Sequence, residues 1–308
     1  MTLINELLGI ELPIIQGAMA KISTSELVSA VSEAGGLGVI ASGGMTTEQV
    51  REEIRKTKSL TDKPFAVNVM LMMENRDEII DVIIQEEVKI ITSGAGTPKP
   101  YMKRLKEAGV IVMPVVPSVA IAKKMEKLGA DAVIVEGMEA GGHIGEVCSL
   151  PLISAATNQI SIPVVAAGGF SDGRSLGAAL ALGAKGVQMG TVYLSTIECP
   201  VSQSYKEQIL VSNETSTVVT GRKNGSPVRN IHNDMTTHYL ALEAKEVSRD
   251  ELESLTLGSL HKAVKEGDIV NGSVMAGQII GNIETIKTVK ELHEQIINEY
   301  RSIHLPKL

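Results

Sequence analysis

Val133-Ile134-Val135-Glu136-Gly137-Met138-Glu139-Ala140-Gly141-Gly142-His143-Ile144-Gly145 is a β-branched apolar run that breaks abruptly into acid, glycine and histidine. A strand buried on both faces of a parallel sheet reads as such a run, and parallel α/β folds bind ligands beyond the carboxyl ends of their strands. The stretch therefore reads as a strand followed by a binding loop. Gly141, Gly142 and Gly145 carry no Cβ on either side of His143, which would let a flat ligand approach the backbone closely. The same residues also suit a plain glycine-rich surface loop with an incidental histidine.

Similar apolar runs lie on both sides of it, at 13–16, 37–41, 65–70, 89–93, 110–116, 132–135, 162–167 and 186–189, making eight candidate strands. Amphipathic segments separate them. Ser23-Thr24-Ser25-Glu26 and Thr46-Thr47-Glu48-Gln49 read as capping boxes opening helices. Gly35, Gly109, Gly129 and Gly183 each stand between a helical segment and the next strand, where a left-handed residue stops the helix. The recurring unit is strand, loop, helix, glycine. Eight such units predict an α/β chain folded as a (β/α)8 TIM barrel, with an open doubly wound sheet as the alternative. No Gly-x-Gly-x-x-Gly follows the first strand, which favours the barrel. After the eighth strand the pattern degrades. Residues 196–281 read as a mostly helical appendage covering the barrel on its substrate side, inserted between barrel segments 1–195 and 282–308. An amphipathic helix over 284–302, with Ile286, Val289, Leu292, Ile296 and Ile297 on one face, closes the chain.

Composition narrows the function. Aromatic residues make up 2% of the chain, with no Trp, so a base-stacking surface is not expected, and a net charge of -7 argues against a polyanion partner. The two cysteines, Cys148 and Cys199, form neither a metal motif nor a disulfide framework, which fits a reducing cytoplasm; Cys148 is expected to be a small buried hydrophobe. No apolar run reaches the ~18 residues of a membrane span, and no signal core opens the chain. The six histidines show no ligand spacing, so no metal is expected.

The strand ends carry the chemistry in a barrel. They read Gln16-Gly17-Ala18-Met19, Asn68, Ser93-Gly94-Ala95-Gly96, Pro117-Ser118, Glu136, Gly141 to His143, Gly168-Gly169 and Gly190-Thr191. The glycines after the seventh and eighth strands suit a phosphate, and Asn68, Glu136 and Gln188 could hydrogen-bond a heterocycle or a polyol. Each also has an ordinary structural use: Asn68 as a turn cap, Gln188 as filler of a barrel layer, the glycines as turn formers.

Taken as a set, Gln16-Gly17-Ala18-Met19, Pro64-Phe65-Ala66-Val67-Asn68, Thr92-Ser93-Gly94-Ala95-Gly96, Glu139-Ala140-Gly141-Gly142-His143, Ala166-Ala167-Gly168-Gly169 and Gln188-Met189-Gly190-Thr191 resemble the nitronate monooxygenase family of FMN barrels. Pro114-Val115-Val116-Pro117-Ser118, the 136–145 stretch and Gly272-Ser273-Val274-Met275-Ala276-Gly277-Gln278 most resemble its enoyl-acyl-carrier-protein reductase II (FabK type) branch. The resemblance implies FMN at the barrel mouth, its ring near Ala18, Met19, Asn68, Glu136 and Gly141. Its phosphate would lie near Gly169, Gly190 and Thr191, with Gly168, Gln188 and Met189 also among the cofactor-binding residues of the matched stretches. His143 falls on the catalytic histidine, and NADH or NADPH would be the electron donor.

This chain departs from the reductases on the substrate side. Ala18-Met19-Ala20-Lys21 stands where Gly-Met-Ala-Trp is usual, Val192 follows Thr191 where Arg is common, and Met73-Glu74-Asn75-Arg76 replaces a more apolar loop. Three readings follow: an FMN-dependent NAD(P)H reductase of trans-2-enoyl thioesters in fatty-acid elongation, a monooxygenase oxidising alkyl nitronates with O2, or a flavin-binding protein with a sensing role. A cytoplasmic enzyme acting on a small-molecule or carrier-bound thioester, without nucleic-acid or membrane partners, is expected; a homodimer is left open.

Overall fold

Each apolar run becomes a parallel strand: β1 (Ile14–Gln16), β2 (Gly38–Ala41), β3 (Phe65–Met70), β4 (Ile90–Gly94), β5 (Ile111–Val116), β6 (Val133–Glu136), β8 (Val164–Ala167) and β9 (Gly186–Met189). The two-residue strand β7 (Gly142–His143) intervenes between the sixth and seventh of these. The structure, a computed structural model, describes residues 3–304, so the first two and last four residues of the expected barrel segments lie outside it. The strands pair in the order β1-β9-β8-β6-β5-β4-β3-β2. Leu37 closes the ring onto β1, donating to the Ile14 carbonyl and accepting from the Gln16 N–H, both at 2.9 Å. The fold is a (β/α)8 TIM barrel.

Period-two alternation splits each strand between two cores. Ile15, Val39, Ala66, Ile90, Met113, Ile134 and Val165 fill the lumen. Ile14, Val133, Val135, Val164, Ala166, Val187 and Met189 face the surrounding helices. Gly35, Gly109, Gly129 and Gly183 take positive φ (86°, 70°, 89° and 96°) where helices hand over to strands, as their spacing predicts.

Three local expectations need correction. The Thr46 capping box forms, with Gln49, but the one at Ser23 does not: the helix Ser25–Glu33 starts at Thr24 without a side-chain cap. Ser23 Oγ instead accepts from Gln16 Nε2 and from the Met19 N–H, both at 2.8 Å, shaping the loop after β1. The last helix is Val289–Arg301, capped by Thr288 and Glu291, so Ile286 precedes it. Within 196–281, helices such as Gln203–Leu210 and Asp234–Ala244 are joined by an antiparallel hairpin, β10 (Thr217–Thr220) and β11 (Val228–Ile231). β11 pairs in turn with β7 in the loop after β6, which brings this segment to the C-terminal face of the barrel. No helix among the described residues is long and apolar enough to cross a membrane.

Candidate active site

Two residues beyond the apolar lumen layer, the strands change character. Asn68 follows Ala66 by two residues in β3, Thr92 follows Ile90 in β4, Glu136 follows Ile134 in β6, and Gln188 follows Gly186 in β9, so all four share the inward parity. Their register makes a floor across the mouth: Asn68 pairs with Thr92, Glu136 with Ala167, and Ala167 with Gln188. Asn68 Nδ2 donates to Thr92 Oγ1 at 2.8 Å, which orients the amide with its oxygen left over. Asn68 is thus no turn cap. Glu136 stands in the mouth with no countercharge among the described residues, and burial pushes its carboxyl up to about 7. It can serve near neutral pH as donor or acceptor. Ala18 packs on the lumen cluster, and Met19 borders Gly190. Met189, only 1% exposed, faces the helices and meets the mouth through its carbonyl, which accepts from Gly17 at 2.7 Å.

The loop after β6 is tied on several sides. The Glu139 carboxylate accepts from the Ser149 N–H at 3.0 Å and from Ser149 Oγ at 2.8 Å, capping the helix Ser149–Gln159. The Gly168 carbonyl, 2.7 Å from Ser149 Oγ, is an alternative acceptor for the same hydroxyl proton, next to the loop after β8. The Glu139 carbonyl accepts from Gln278 at 2.9 Å, and Gly277 donates to Thr191 Oγ1 at 2.9 Å. A Cβ on Gly141 would lie 2.6 Å from the Ala276 carbonyl carbon, and one on Gly145 would lie 2.6 Å from Pro117 Cβ. On the side where a side chain would stand, these two glycines admit neighbouring protein. The 272–278 stretch and the glycine loop are one construction.

His143 itself is exposed at the mouth and has no side-chain hydrogen bond among the described residues. Surrounding protein still removes enough water to push its pKa below the usual 6.5, so the imidazole is neutral at pH 7. A neutral imidazole offers one donor and one acceptor. Cys148, expected to be buried, is exposed at the start of the helix Ser149–Gln159, while Cys199 is buried.

Against this geometry stand the relatives. A sequence model of the family described as nitronate monooxygenase matches residues 1–81 and 73–299. The chain belongs to the nitronate monooxygenase family. FabK from Thermotoga maritima superimposes with a TM-score of 0.93 at 45% identity, covering 97% of this chain and 95% of that one. A nitroalkane oxidase from Streptomyces ansochromogenes gives a TM-score of 0.87 at 28% identity, with 97% of both chains covered. Among curated relatives, the (3aS,4S,5R,7aS)-5-hydroxy-7a-methyl-1-oxo-octahydro-1H-indene-4-carboxyl-CoA dehydrogenase of Rhodococcus jostii (strain RHA1) is 34% identical, over 96% of this chain and 94% of its own.

FMN is the cofactor that the family resemblance implies, and the residues here fit it. The N–H groups of Gly169 and Gly190 find no acceptor among the described residues. At Gly190 a Cβ would have open space to 3.9 Å, as a ligand cradle requires. Gly168, by contrast, is pressed against Gly137 and Ser149. Sequence reasoning overlooked Thr92 as the Asn68 partner, the Glu139–Ser149 link, and Arg229. A hydroxyl on the inward parity of β4 could have revealed Thr92. Nothing in the local sequence separates Arg229 from a solvated arginine.

Proposed function

We propose that this nitronate monooxygenase family member is an FMN-dependent NAD(P)H enoyl-thioester reductase. The observation that carries the reading is the 45% identity to FabK across 97% of the chain. The carboxyl-CoA substrate in the name of the 34% identical Rhodococcus relative also favours an acyl thioester. Asn68, Glu136, Gln188, Ala18 and Met19 would hold the flavin ring, while Gly169, Gly190 and Thr191 would hold the phosphate. Bound FMN would supply two-electron hydride chemistry between the nicotinamide donor and the enoyl β-carbon. His143, neutral and without a side-chain partner among the described residues, donates its one N–H to the thioester oxygen, where negative charge builds, and the α-proton comes from solvent water. Glu136, near its midpoint at neutral pH, adapts its proton to whichever ring edge it meets. Nitronate oxidation is the second reading, favoured by the family match and the Streptomyces nitroalkane oxidase.

The test is anaerobic. Purified flavoprotein is mixed with NADH or NADPH, then with crotonyl thioester or an alkyl nitronate, while flavin absorbance is followed. Bleaching by the nicotinamide and recovery with the enoyl thioester are expected. Recovery only in air, together with nitronate-dependent O2 uptake needing no nicotinamide, would replace this reading with the second.

A further inference from the structure

Arg229 lies in β11, the central strand of the three-stranded sheet, directly across from Gly142, with Val228 across from His143. It is 4% exposed. Nε and Nη2 both donate to the Met138 carbonyl, at 3.2 and 2.9 Å, and Nη1 donates to Thr217 Oγ1 at 3.0 Å. Both acceptors are neutral, and no carboxylate among the described residues lies within ion-pair distance of it. Burying a charge without a paired carboxylate is expensive, and an apolar residue of similar volume would serve folding at least as well. Two donors fixed in one plane on one carbonyl do what an apolar side chain cannot: they set the carbonyl's direction.

That carbonyl opens the loop that ends in His143. Glu139 ties the barrel side of the loop to Ser149, and Gly141 is seated on Ala276. On the far side the ties are Arg229, the short β7–β11 ladder and the 3.1 Å bond from Ile144 N to the Pro227 carbonyl. His143 has no side-chain bond of its own to fix it, so its imidazole stands where this backbone puts it. We propose that Arg229 is a positioning residue for His143, acting across the β7–β11 ladder through the Met138 carbonyl. The appendage thereby takes part in the chemistry without touching substrate. The inference rests on the proposed role of His143.

The test compares Arg229→Met, Arg229→Lys, His143→Ala and the double variant Arg229→Met/His143→Ala, with every rate normalised to bound flavin so that partial folding cancels. Arg229→Met should slow recovery by enoyl thioester about tenfold or more, leave bleaching by the nicotinamide within about twofold, and add nothing when His143 is already absent. Guanidinium in the millimolar range should restore part of the lost rate, and Arg229→Lys, with one rather than two in-plane donors, should fall between. A readout independent of turnover is the His143 imidazole titration followed by NMR in the flavin-free chain. Arg229→Met should move it up toward 6.5 as the ring is released to water, leaving the other histidines unmoved. Should Arg229→Met yield no folded protein, Arg229→Lys carries the same comparisons. A slow His143→Ala with an additive or silent Arg229→Met would overturn the positioning role and spare the proposed function. A His143→Ala that recovers at the normal rate would overturn both.

Discussion

At the residue scale, Glu136 and His143 face the same mouth and are both shifted away from charge by loss of water. Burial holds the Glu136 carboxyl at about 7. Between pH 4.5 and about 7 the folded chain keeps a proton that the unfolded chain has released. Rising pH therefore drains stability across that window, and the contribution is fully present only below 4.5. In the flavin-free protein, Glu136→Gln should match the native chain near pH 4.5 and exceed it at pH 8 by on the order of 3 kcal/mol. Urea midpoints at the two pH values test this; parallel pH trends in both proteins would place the titration elsewhere. For His143, removing an acid or electrophile costs about 10²- to 10⁴-fold. His143→Ala should keep its FMN and its reduction by NADH yet recover with enoyl thioester about a hundredfold more slowly, as stopped-flow traces of the two half-reactions would show. Glu136 stood out in the sequence because a carboxylate directly after a β-branched run has few structural uses, and His143 because glycines flank it. Arg229 did not, because its role exists only through a pairing partner 87 residues away in sequence, Gly142.

At the element scale, two glycines of the mouth separate architecture from ligand binding. At Gly141 an added methyl would meet the backbone of Ala276 and Gly277 at 2.6 to 2.8 Å, so the 272–278 stretch would have to shift. Gly190 has φ −120° and room for a methyl, bordered only by Met19 Sδ at 3.9 Å. Gly141→Ala should therefore destabilise the flavin-free chain by about 1–3 kcal/mol, the range of an overpacked core position. Gly190→Ala should leave that stability unchanged and weaken FMN retention, by intruding on the phosphate cradle. Thermal midpoints and flavin release by ultrafiltration would check the pair; equal FMN retention in Gly190→Ala and the native chain would remove Gly190 from the cradle. The elements themselves were unequally readable. Barrel strands advertise themselves because both faces are buried. The β10–β11 hairpin carried a signal in Thr217-Val218-Val219-Thr220 and Asn224-Gly225, a β-branched run and a turn pair, submerged among helical segments. β7 carried none, since Gly142–His143 becomes a strand only by lying beside β11.

For the whole molecule, the question is how a barrel stays closed when its final helix is separated from its last strand by the appendage. The return was legible: Val289, Leu292 and Ile296 repeat at helical spacing and are all buried. What anchors it was not. His293, 2% exposed on the helix Val289–Arg301, sits beside Gly36, where a Cβ would lie 2.8 Å from its ring. Its Nδ1 lies 2.9 Å from the Ala34 carbonyl, which can only accept, so Nδ1 carries the proton. Nε2 then accepts from the buried Tyr193 hydroxyl at 2.8 Å. One imidazole thus joins the last helix, the end of the first barrel helix and the turn after β9, and burial favours its neutral form there. Burial lowers its pKa below 6.5, against the opposing pull of the Ala34 bond. The unfolded chain gains a proton below 6.5 that the folded chain resists, so this contribution is complete above 6.5 and is lost as pH falls through the folded value. His293→Leu leaves the Tyr193 hydroxyl and the Ala34 carbonyl unpaired, a cost of about 1–3 kcal/mol for each buried group. The native protein should therefore exceed His293→Leu in stability by about 2–4 kcal/mol at pH 8. That gap should narrow toward pH 5, and subtracting the two curves removes the titrations of Glu136 and His143 common to both. Urea unfolding of the two flavin-free proteins between pH 5 and 8 measures it. A gap that stays constant over that range would mean His293 is held by packing alone, with the closure of the barrel indifferent to its proton.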